Sequence, residues 1–211
     1  MNLIRQNAFD AAVGVVVSDT PDGLKVIRKA GCAATVWRRQ TPPGFQDWID
    51  GLDPKTLPSA RIVVRADAAR QTIEDLLHDA GIADCAERFW FEADIGELSN
   101  RFANIMQAPY LRLRLDAIKT NACRRFHIDA IKARMLCTYR GSGTQYGISI
   151  DGDEPKRVFQ VATGSVMVLR GTKWPEYPAS GLLHRSPPIE GTSQTRWVLV
   201  LDPVYELEDD L

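Results

Sequence analysis

Two of the three histidines in the chain lie in surroundings that suit metal binding. The first is in the segment Arg125-Phe-His127-Ile-Asp129. Because residues i and i+2 of an extended segment point the same way, His127 and Asp129 are expected to present an imidazole and a carboxylate to one point. The second is His184. Two histidines and one carboxylate can occupy one face of an octahedral metal and leave three positions open, which suits Fe(II). The pattern therefore predicts metal ligation by His127, Asp129 and His184.

An arginine that suits an anionic ligand follows these residues. Arg196 stands twelve residues after His184, in the predicted strand Thr195–Leu201. In a strand it shares one face with Val198 and Val200, which favours a side chain that points inward. A guanidinium binds a carboxylate bidentately and keeps its charge when partly buried. The alternative is an edge-strand charge that faces solvent.

The HxD segment, the distal histidine and this arginine together resemble the pattern of the Fe(II)/2-oxoglutarate-dependent dioxygenase superfamily, over residues 108–203. The resemblance implies a double-stranded β-helix, which is a form of jelly roll. It also implies that His127, Asp129 and His184 are the catalytic Fe(II) ligands and that Arg196 binds the co-substrate 2-oxoglutarate. Many members carry a small hydroxyl residue two positions after the arginine, where this chain has Val198.

The usual second contact to 2-oxoglutarate is not matched by a motif. Tyr139, on the strand after HxD, is the candidate for cofactor binding, and Thr138 is another. The segments Cys123–Asp129, Thr138–Thr144 and His184–Pro188 are also similar to an uncharacterised bacterial protein family of unknown function. That closer likeness implies no assigned activity.

The leading hypothesis is an Fe(II)/2-oxoglutarate-dependent oxygenase that hydroxylates an unknown substrate, either a small molecule or a protein. The alternative is a non-enzymatic jelly-roll protein that binds or senses Fe, Zn or Mn with the same three residues. A cupin-type enzyme without 2-oxoglutarate ranks last, since it would normally bring more histidines. A zinc set of Cys123, His127 and Cys137 is disfavoured, because structural zinc sites pair their ligands at short spacings.

The sequence after Pro109 predicts an all-β structure. Apolar and polar residues alternate in several short segments, and Gly141-Ser-Gly143 is typical of a hairpin turn. We expect two facing antiparallel sheets, as in a sandwich, jelly roll or barrel. The predicted strands are Tyr110–Lys119, Arg134–Arg140, Gln145–Ile150, Arg157–Val161, Ser165–Leu169 and Thr195–Leu201.

The first hundred residues have a mixed pattern. Turn-forming residues fill Asp19–Gly23, between the first two predicted strands. The helix at Glu87–Met106 is expected to break near Gly96. The predicted strands are Val13–Val17, Ala33–Trp37 and Arg61–Val64, and the other predicted helices are Phe45–Leu52 and Asp67–Ala80. The fold class is therefore α+β, with a cupin-like jelly roll at 108–211 and an α/β portion at 1–107 packed on it. The alternative is that the two portions form one continuous domain.

Composition narrows the class of protein. The 211 residues are 45% hydrophobic and 25% charged, with a net charge of −1, so no nucleic-acid or anionic-membrane surface is indicated. Four scattered cysteines without a CxxC pair favour reduced thiols in the cytoplasm. No stretch approaches the ~18 apolar residues of a membrane span. Substrate, pathway and oligomeric state have no signature in the sequence.

Overall fold

The structure is a computed structural model, and it describes residues 14–121, 123–149, 153–175 and 180–207. Val13 and Ile150, at the ends of two predicted strands, lie outside the described residues. So do 1–12 and 208–211 of the two predicted portions.

The described residues form ten strands in a large and a small sheet. The large sheet has the order β1-β2-β8-β5-β10-β4-β3, and the small sheet has the order β7-β6-β9. All strand pairs are antiparallel except β1 with β2. The strands are β1 Val15–Ser18, β2 Ala34–Trp37, β3 Ala60–Arg65, β4 Tyr110–Ile118, β5 Ala133–Arg140, β6 Gln145–Ile148, β7 Phe159–Gln160, β8 Val166–Arg170, β9 Leu182–Arg185 and β10 Arg196–Val204.

The helices come from the first half of the described chain, as the sequence predicts. They are α1 Phe45–Gly51, α2 Ala69–Asp79 and α3 Ala86–Met106, with two 3-10 helices at Pro21–Arg28 and Ala66–Ala68. The fold is therefore a mixed α+β fold with a large, mainly antiparallel sheet. In the described part of the chain, no helix has both the length and the apolar composition that a bilayer crossing requires.

The predicted break in α3 is wrong. Gly96 lies inside one continuous helix, and a Cβ built on it would come within 2.9 Å of the Cβ of Arg70 on α2. The glycine therefore permits close packing of two helices rather than ending one. The prediction of a turn at Asp19–Gly23 describes this segment only in part. From Pro21 to Arg28 the chain forms a 3-10 helix that buries Leu24 and Ile27.

The predicted hairpin at Gly141–Gly143 is wrong as well. β5 pairs with β8 and β10 in the large sheet, whereas β6 belongs to the small sheet. The turn thus carries the chain from one sheet to the other. Turn-forming residues predict a reversal of direction, but they do not specify whether the flanking strands pair.

The large sheet buries both of its faces, each against a different partner. One face packs under the helices, with Trp197, Leu199 and Leu201 of β10 in that core. Val198 and Val200 belong to the core on the other face, which also includes Tyr146 of the small sheet. The alternation predicted for β10 therefore places Arg196 on the face that looks toward the small sheet.

Strands from both predicted portions join in the large sheet. β1, β2 and β3 come from the portion before residue 108 and pair with one another or with β8 and β4. A domain boundary between residues 107 and 108 stays a prediction. Strands from both sides of that position are hydrogen-bonded in one sheet.

Candidate active site

A pair of backbone hydrogen bonds joins the two histidines. The amide of His127 donates to the carbonyl of His184 at 3.1 Å, and the amide of His184 donates to the carbonyl of His127 at 2.9 Å. His184 belongs to β9 of the small sheet, whereas His127 lies in the irregular segment between β4 and β5 and makes only this isolated bridge. The two imidazole rings consequently lie side by side, with centroids 4.5 Å apart.

Asp129 turns its carboxylate toward both rings. Its Oδ2 is 3.1 Å from Nε2 of His184, and its Oδ1 is 3.7 Å from Nε2 of His127. One potential ligand atom from each of the three residues lies within 4.8 Å of the others. The structure therefore brings together the three residues that the sequence singled out as metal ligands.

The surroundings of Asp129 and His184 favour the protonation states that metal ligation needs, whereas those of His127 favour its protonated form. Burial opposes ionisation of Asp129, but hydrogen bonds from His127 and His184 and the charge of Arg134 outweigh it and hold the pKa of that carboxyl well below its usual range. Burial lowers the pKa of His184, which favours its neutral form. The hydrogen bond to Asp129 raises the pKa of His127, which is the more exposed of the two histidines. An ionised carboxylate and a neutral imidazole are the forms that bind metal.

The donor set fits a divalent metal of the iron type. Two imidazole nitrogens and one carboxylate oxygen match the facial set of non-haem Fe(II) sites. In addition, Nδ1 of His184 is buried without a hydrogen-bond partner among the described residues. A buried unpaired nitrogen costs free energy, so a ligand or water would stabilise this side of the ring.

Arg134 on β5 holds the Asp129 carboxylate. Its Nη1 donates to Asp129 Oδ2 at 2.5 Å, and its Nε and Nη2 each donate to one oxygen of Asp202 at 2.7 Å. Sequence reasoning missed this residue, because the ion pair with Asp202 joins neighbouring strands 68 residues apart in the chain.

A cavity of about 360 Å³ opens beside the histidines, between the two sheets. Its floor is the large sheet, and its other wall is formed by β9 and the segment around His127. The lining includes apolar residues of β10 and β5 together with several arginines. The floor residues are Arg114, Asp116, Ala117, Ile118, Arg134, Leu136, Arg196, Val198 and Val200, and the remaining lining residues are Ser59, Cys123, His127, Thr144, His184, Arg185 and Ser186.

Arg196 lies in this same cavity and is almost wholly buried, with 1% of its surface exposed. Its Nε donates to the carbonyl of Ser142 at 2.6 Å, its Nη1 to Oγ of Ser186 at 2.8 Å and its Nη2 to Oγ1 of Thr138 at 3.3 Å. These acceptors are neutral, and burial lowers the pKa of Arg196 to about 10. Of the five N–H groups of the guanidinium, one on each terminal nitrogen has no acceptor among the described residues and can bind a further one.

Tyr139, the sequence candidate for cofactor binding, points away from the cavity. Its hydroxyl donates to Oδ2 of Asp94 on α3 at 2.5 Å, within the core beneath the helices. Because neighbouring residues of a strand face opposite sides, the residue that reaches Arg196 is Thr138. Cys137 also faces the helices, so it cannot share a zinc ion with Cys123 and His127, which line the cavity.

Solved structures with a similar fold are known. The dioxygenase for auxin oxidation 1 of Arabidopsis thaliana, in complex with 2-oxoglutarate, is 8% identical, and the match covers 95% of each chain with a TM-score of 0.52. The dioxygenase for auxin oxidation in rice is 11% identical, and the match covers 93% of this chain and 84% of that one with a TM-score of 0.51. At these identities the likeness shows a shared fold.

Comparison of the amino-acid sequence identifies the family. No curated protein matches it. One family model does, over residues 18–202, which spans the helices, the histidine-aspartate cluster, the small sheet and the large sheet from the last residue of β1 to Asp202 of β10. The chain therefore belongs to the family described as "Protein of unknown function (DUF1826)".

Proposed function

We propose that this protein is an Fe(II)- and 2-oxoglutarate-dependent oxygenase that hydroxylates a C–H bond of its substrate. Fe(II) would be held by His127, Asp129 and His184. The two facing sheets would then correspond to the double-stranded β-helix of that superfamily. The shared fold of the plant dioxygenases and the composition of the donor set support the proposal.

The single observation that carries the proposal is that Arg196 is buried beside the cavity with only neutral hydrogen-bond acceptors among the described residues. A buried guanidinium whose protein contacts are neutral oxygens is costly, because its charge is removed from water without compensation. A carboxylate in the adjoining cavity would remove that cost and accept the two free N–H groups. Since the same cavity reaches the histidines, a dicarboxylate with one end at the metal and the other at Arg196 fits this arrangement.

Some residues of the site would bind the ligands, and others hold those residues in position. His184 is held by β9, and Arg134 fixes Asp129, so the donor atoms are arranged before a ligand arrives. Thr138, Ser186 and the Ser142 carbonyl orient the Arg196 fork. The metal would supply a site where molecular oxygen is activated. In the balanced reaction one oxygen atom enters the substrate as a hydroxyl, the other enters succinate, and carbon dioxide leaves.

The four free thiols support a place in the cytoplasm as part of this proposal. The substrate can be a small molecule or a protein segment that reaches the cavity.

Calorimetric titration tests the proposal with Mn(II) as a redox-inert stand-in for Fe(II), followed by 2-oxoglutarate. We expect the Arg196→Ala variant to keep its Mn(II) affinity and to lose about 100-fold or more in 2-oxoglutarate affinity, since each hydrogen bond to a charged group contributes ~1.5–3 kcal/mol. His127→Ala should weaken both. Arg196→Lys is the matched control, because it keeps the charge and loses the planar fork.

Tight Mn(II) binding by the wild-type protein without measurable 2-oxoglutarate binding would overturn the oxygenase proposal. That result would instead favour a metal-binding or sensing protein that uses the same three residues.

A further inference from the structure

We propose that the substrate carries an acidic group, a carboxylate or a phosphate, that binds Arg114 at the far end of the cavity from Arg196. This inference rests on the proposed oxygenase function, because it assigns Arg196 to 2-oxoglutarate and asks what the remaining cationic residues bind.

The register of the large sheet separates the two arginines. Arg114 on β4 lies opposite Val200 of β10, whereas Arg196 lies opposite Ile118. Since Val200 is four residues beyond Arg196, the two positions are ~13 Å apart along the strand direction. Both side chains nevertheless line the same cavity. Arg114 is also separated from Arg134, which holds Asp129, because β10 lies between β4 and β5. We infer that a five-carbon diacid anchored at the metal and at Arg196 leaves Arg114 free for a different ligand.

Arg114 itself is incompletely satisfied. Its Nε is buried and has no hydrogen-bond partner among the described residues. It also lies directly opposite Arg61 in the β3–β4 pair. Like charges at opposed positions of neighbouring strands destabilise a sheet. An anion at Arg114 would supply the missing acceptor and offset this repulsion.

The net charge of the cavity also favours an anionic substrate. Four arginines line it, and three carboxylates lie on or beside its walls, which leaves one positive charge. A divalent metal adds two charges and 2-oxoglutarate removes two, so one positive charge remains for the substrate. The arginines are Arg114, Arg134, Arg185 and Arg196, and the carboxylates are Asp116 on the floor with Asp129 and Asp202, which bind Arg134.

The other cavity residues explain why Arg114 is the binding point. Arg185 is already placed by neutral groups, since its Nε donates to Gln145 and its guanidinium lies 4.3 Å from the ring of Phe126. Asp116 lies opposite Val198, between the two arginines in the register, and its carboxylate repels an anion from the centre of the floor.

Beside Asp116 the floor has an apolar part, formed by Leu136, Val198 and Val200. It suits the hydrocarbon part of a substrate, where the bond to be hydroxylated would lie. The structure therefore favours an acid with an apolar body over a neutral or cationic substrate.

Nuclear magnetic resonance of the arginine Nε–H groups tests this inference directly. The Arg114 signal is assigned from its loss in Arg114→Gln. The probes are inorganic phosphate and benzoate, each titrated into the metal-free protein and into protein with saturating Zn(II) and 2-oxoglutarate. We expect one probe to shift the Arg114 signal saturably in both states, and the stronger probe identifies phosphate or carboxylate as the group.

The affinity of that probe should fall about tenfold or more in Arg114→Gln, because a charge-assisted hydrogen bond is lost. Arg114→Lys should keep part of the affinity, and Arg65→Gln, which removes an exposed charge from β3, should leave it unchanged. An Arg114 signal that neither probe moves, or probe binding that survives in Arg114→Gln, would overturn the inference. The metal-free arm reports on Arg114 even if Zn(II) and 2-oxoglutarate fail to bind, so the two proposals fail separately.

Discussion

At the scale of single residues, the Asp129 carboxylate depends on a partner that is not itself a ligand. Arg134 donates one hydrogen bond to Asp129 and two to Asp202, so it links the candidate metal site to β10 of the large sheet. We infer that Arg134 is a positioning residue, since it fixes the direction in which Asp129 presents its oxygens.

Replacing Arg134 with Gln should weaken Mn(II) binding about tenfold, because the loss of a hydrogen bond that orients a ligand typically costs 10–100-fold in metal affinity. Calorimetric titration of Mn(II) measures this change, and urea denaturation reports stability separately. Asp202→Asn, which breaks the other half of the same ion pair, is the control. Equal losses of Mn(II) affinity in both variants would indicate a general structural role instead.

The position of Tyr139 gives a second residue-scale prediction. Its hydroxyl binds Asp94, which also receives two short hydrogen bonds from Arg39, so the group belongs to a buried ion pair beneath the helices. Tyr139→Phe should lower the free energy of unfolding by ~1–3 kcal/mol, as expected when a buried charged acceptor loses one donor. The 2-oxoglutarate affinity should stay within about twofold of wild type. A large loss of that affinity would restore Tyr139 as a cofactor contact.

Alternation along a strand determines how much of the site the sequence can predict. For β10 the apolar residues Val198 and Val200 favoured an inward Arg196 over a solvent-facing one, and Arg196 lines the cavity with them. For β5 the neighbouring residues Thr138 and Tyr139 are both buried, so alternation alone could not tell which of them faces the cavity. Arg134 was missed because its partner Asp202 is set by the pairing of β5 with β10 and leaves no local signal.

At the scale of elements, the turn between the two sheets shapes the Arg196 pocket. Gly141 has a φ of 76°, and a Cβ on it would come within 2.7 Å of the Thr195 carbonyl oxygen. The next residue, Ser142, supplies the carbonyl that binds Nε of Arg196. The close passage of this turn across the start of β10 therefore requires glycine.

Gly141→Ala should destabilise the protein by ~1–3 kcal/mol through backbone strain and steric overlap, and it should also weaken 2-oxoglutarate binding. Gly191→Ala is the matched control, because Gly191 has a similar φ of 80° with open space around its Cβ position. Urea denaturation and calorimetry on both variants separate the two effects. A 2-oxoglutarate affinity lowered equally in both variants would mean that strain alone, rather than displacement of Ser142, is responsible.

The sequence predicts helices and strands well where the pattern of neighbouring residues determines them. It fails where contacts between residues distant in the chain determine them. The amphipathic helix α2 and the alternating strand β4 lie within two residues of their predicted bounds. β9 was not predicted as a strand, because a segment of four residues is too short to show a clear alternation. Its strand conformation is defined by its pairing with β6. The same limit applies to Gly96, whose role depends on Arg70 of another helix.

At the scale of the whole molecule, the candidate site is divided between two layers. Arg134 and Arg196 come from the large sheet, which the helices support from behind. His184 comes from the small sheet, and His127 and Asp129 come from the segment that bridges to it. A metal and a dicarboxylate would therefore connect the layers, and binding should suppress local opening between them.

We expect Mn(II) and 2-oxoglutarate together to slow backbone hydrogen exchange in peptides covering 123–131 and 182–187, and to leave α3 nearly unchanged. A ligand at about 100 times its Kd stabilises the folded state by ~2.7 kcal/mol, which for a chain of this size raises Tm by roughly 5–10 °C. Exchange measured by mass spectrometry and a thermal scan check both expectations. His184→Ala is the control, because it removes a ligand from the small sheet and should abolish both effects. Protection spread evenly over the molecule, α3 included, would contradict a site that joins the two layers locally.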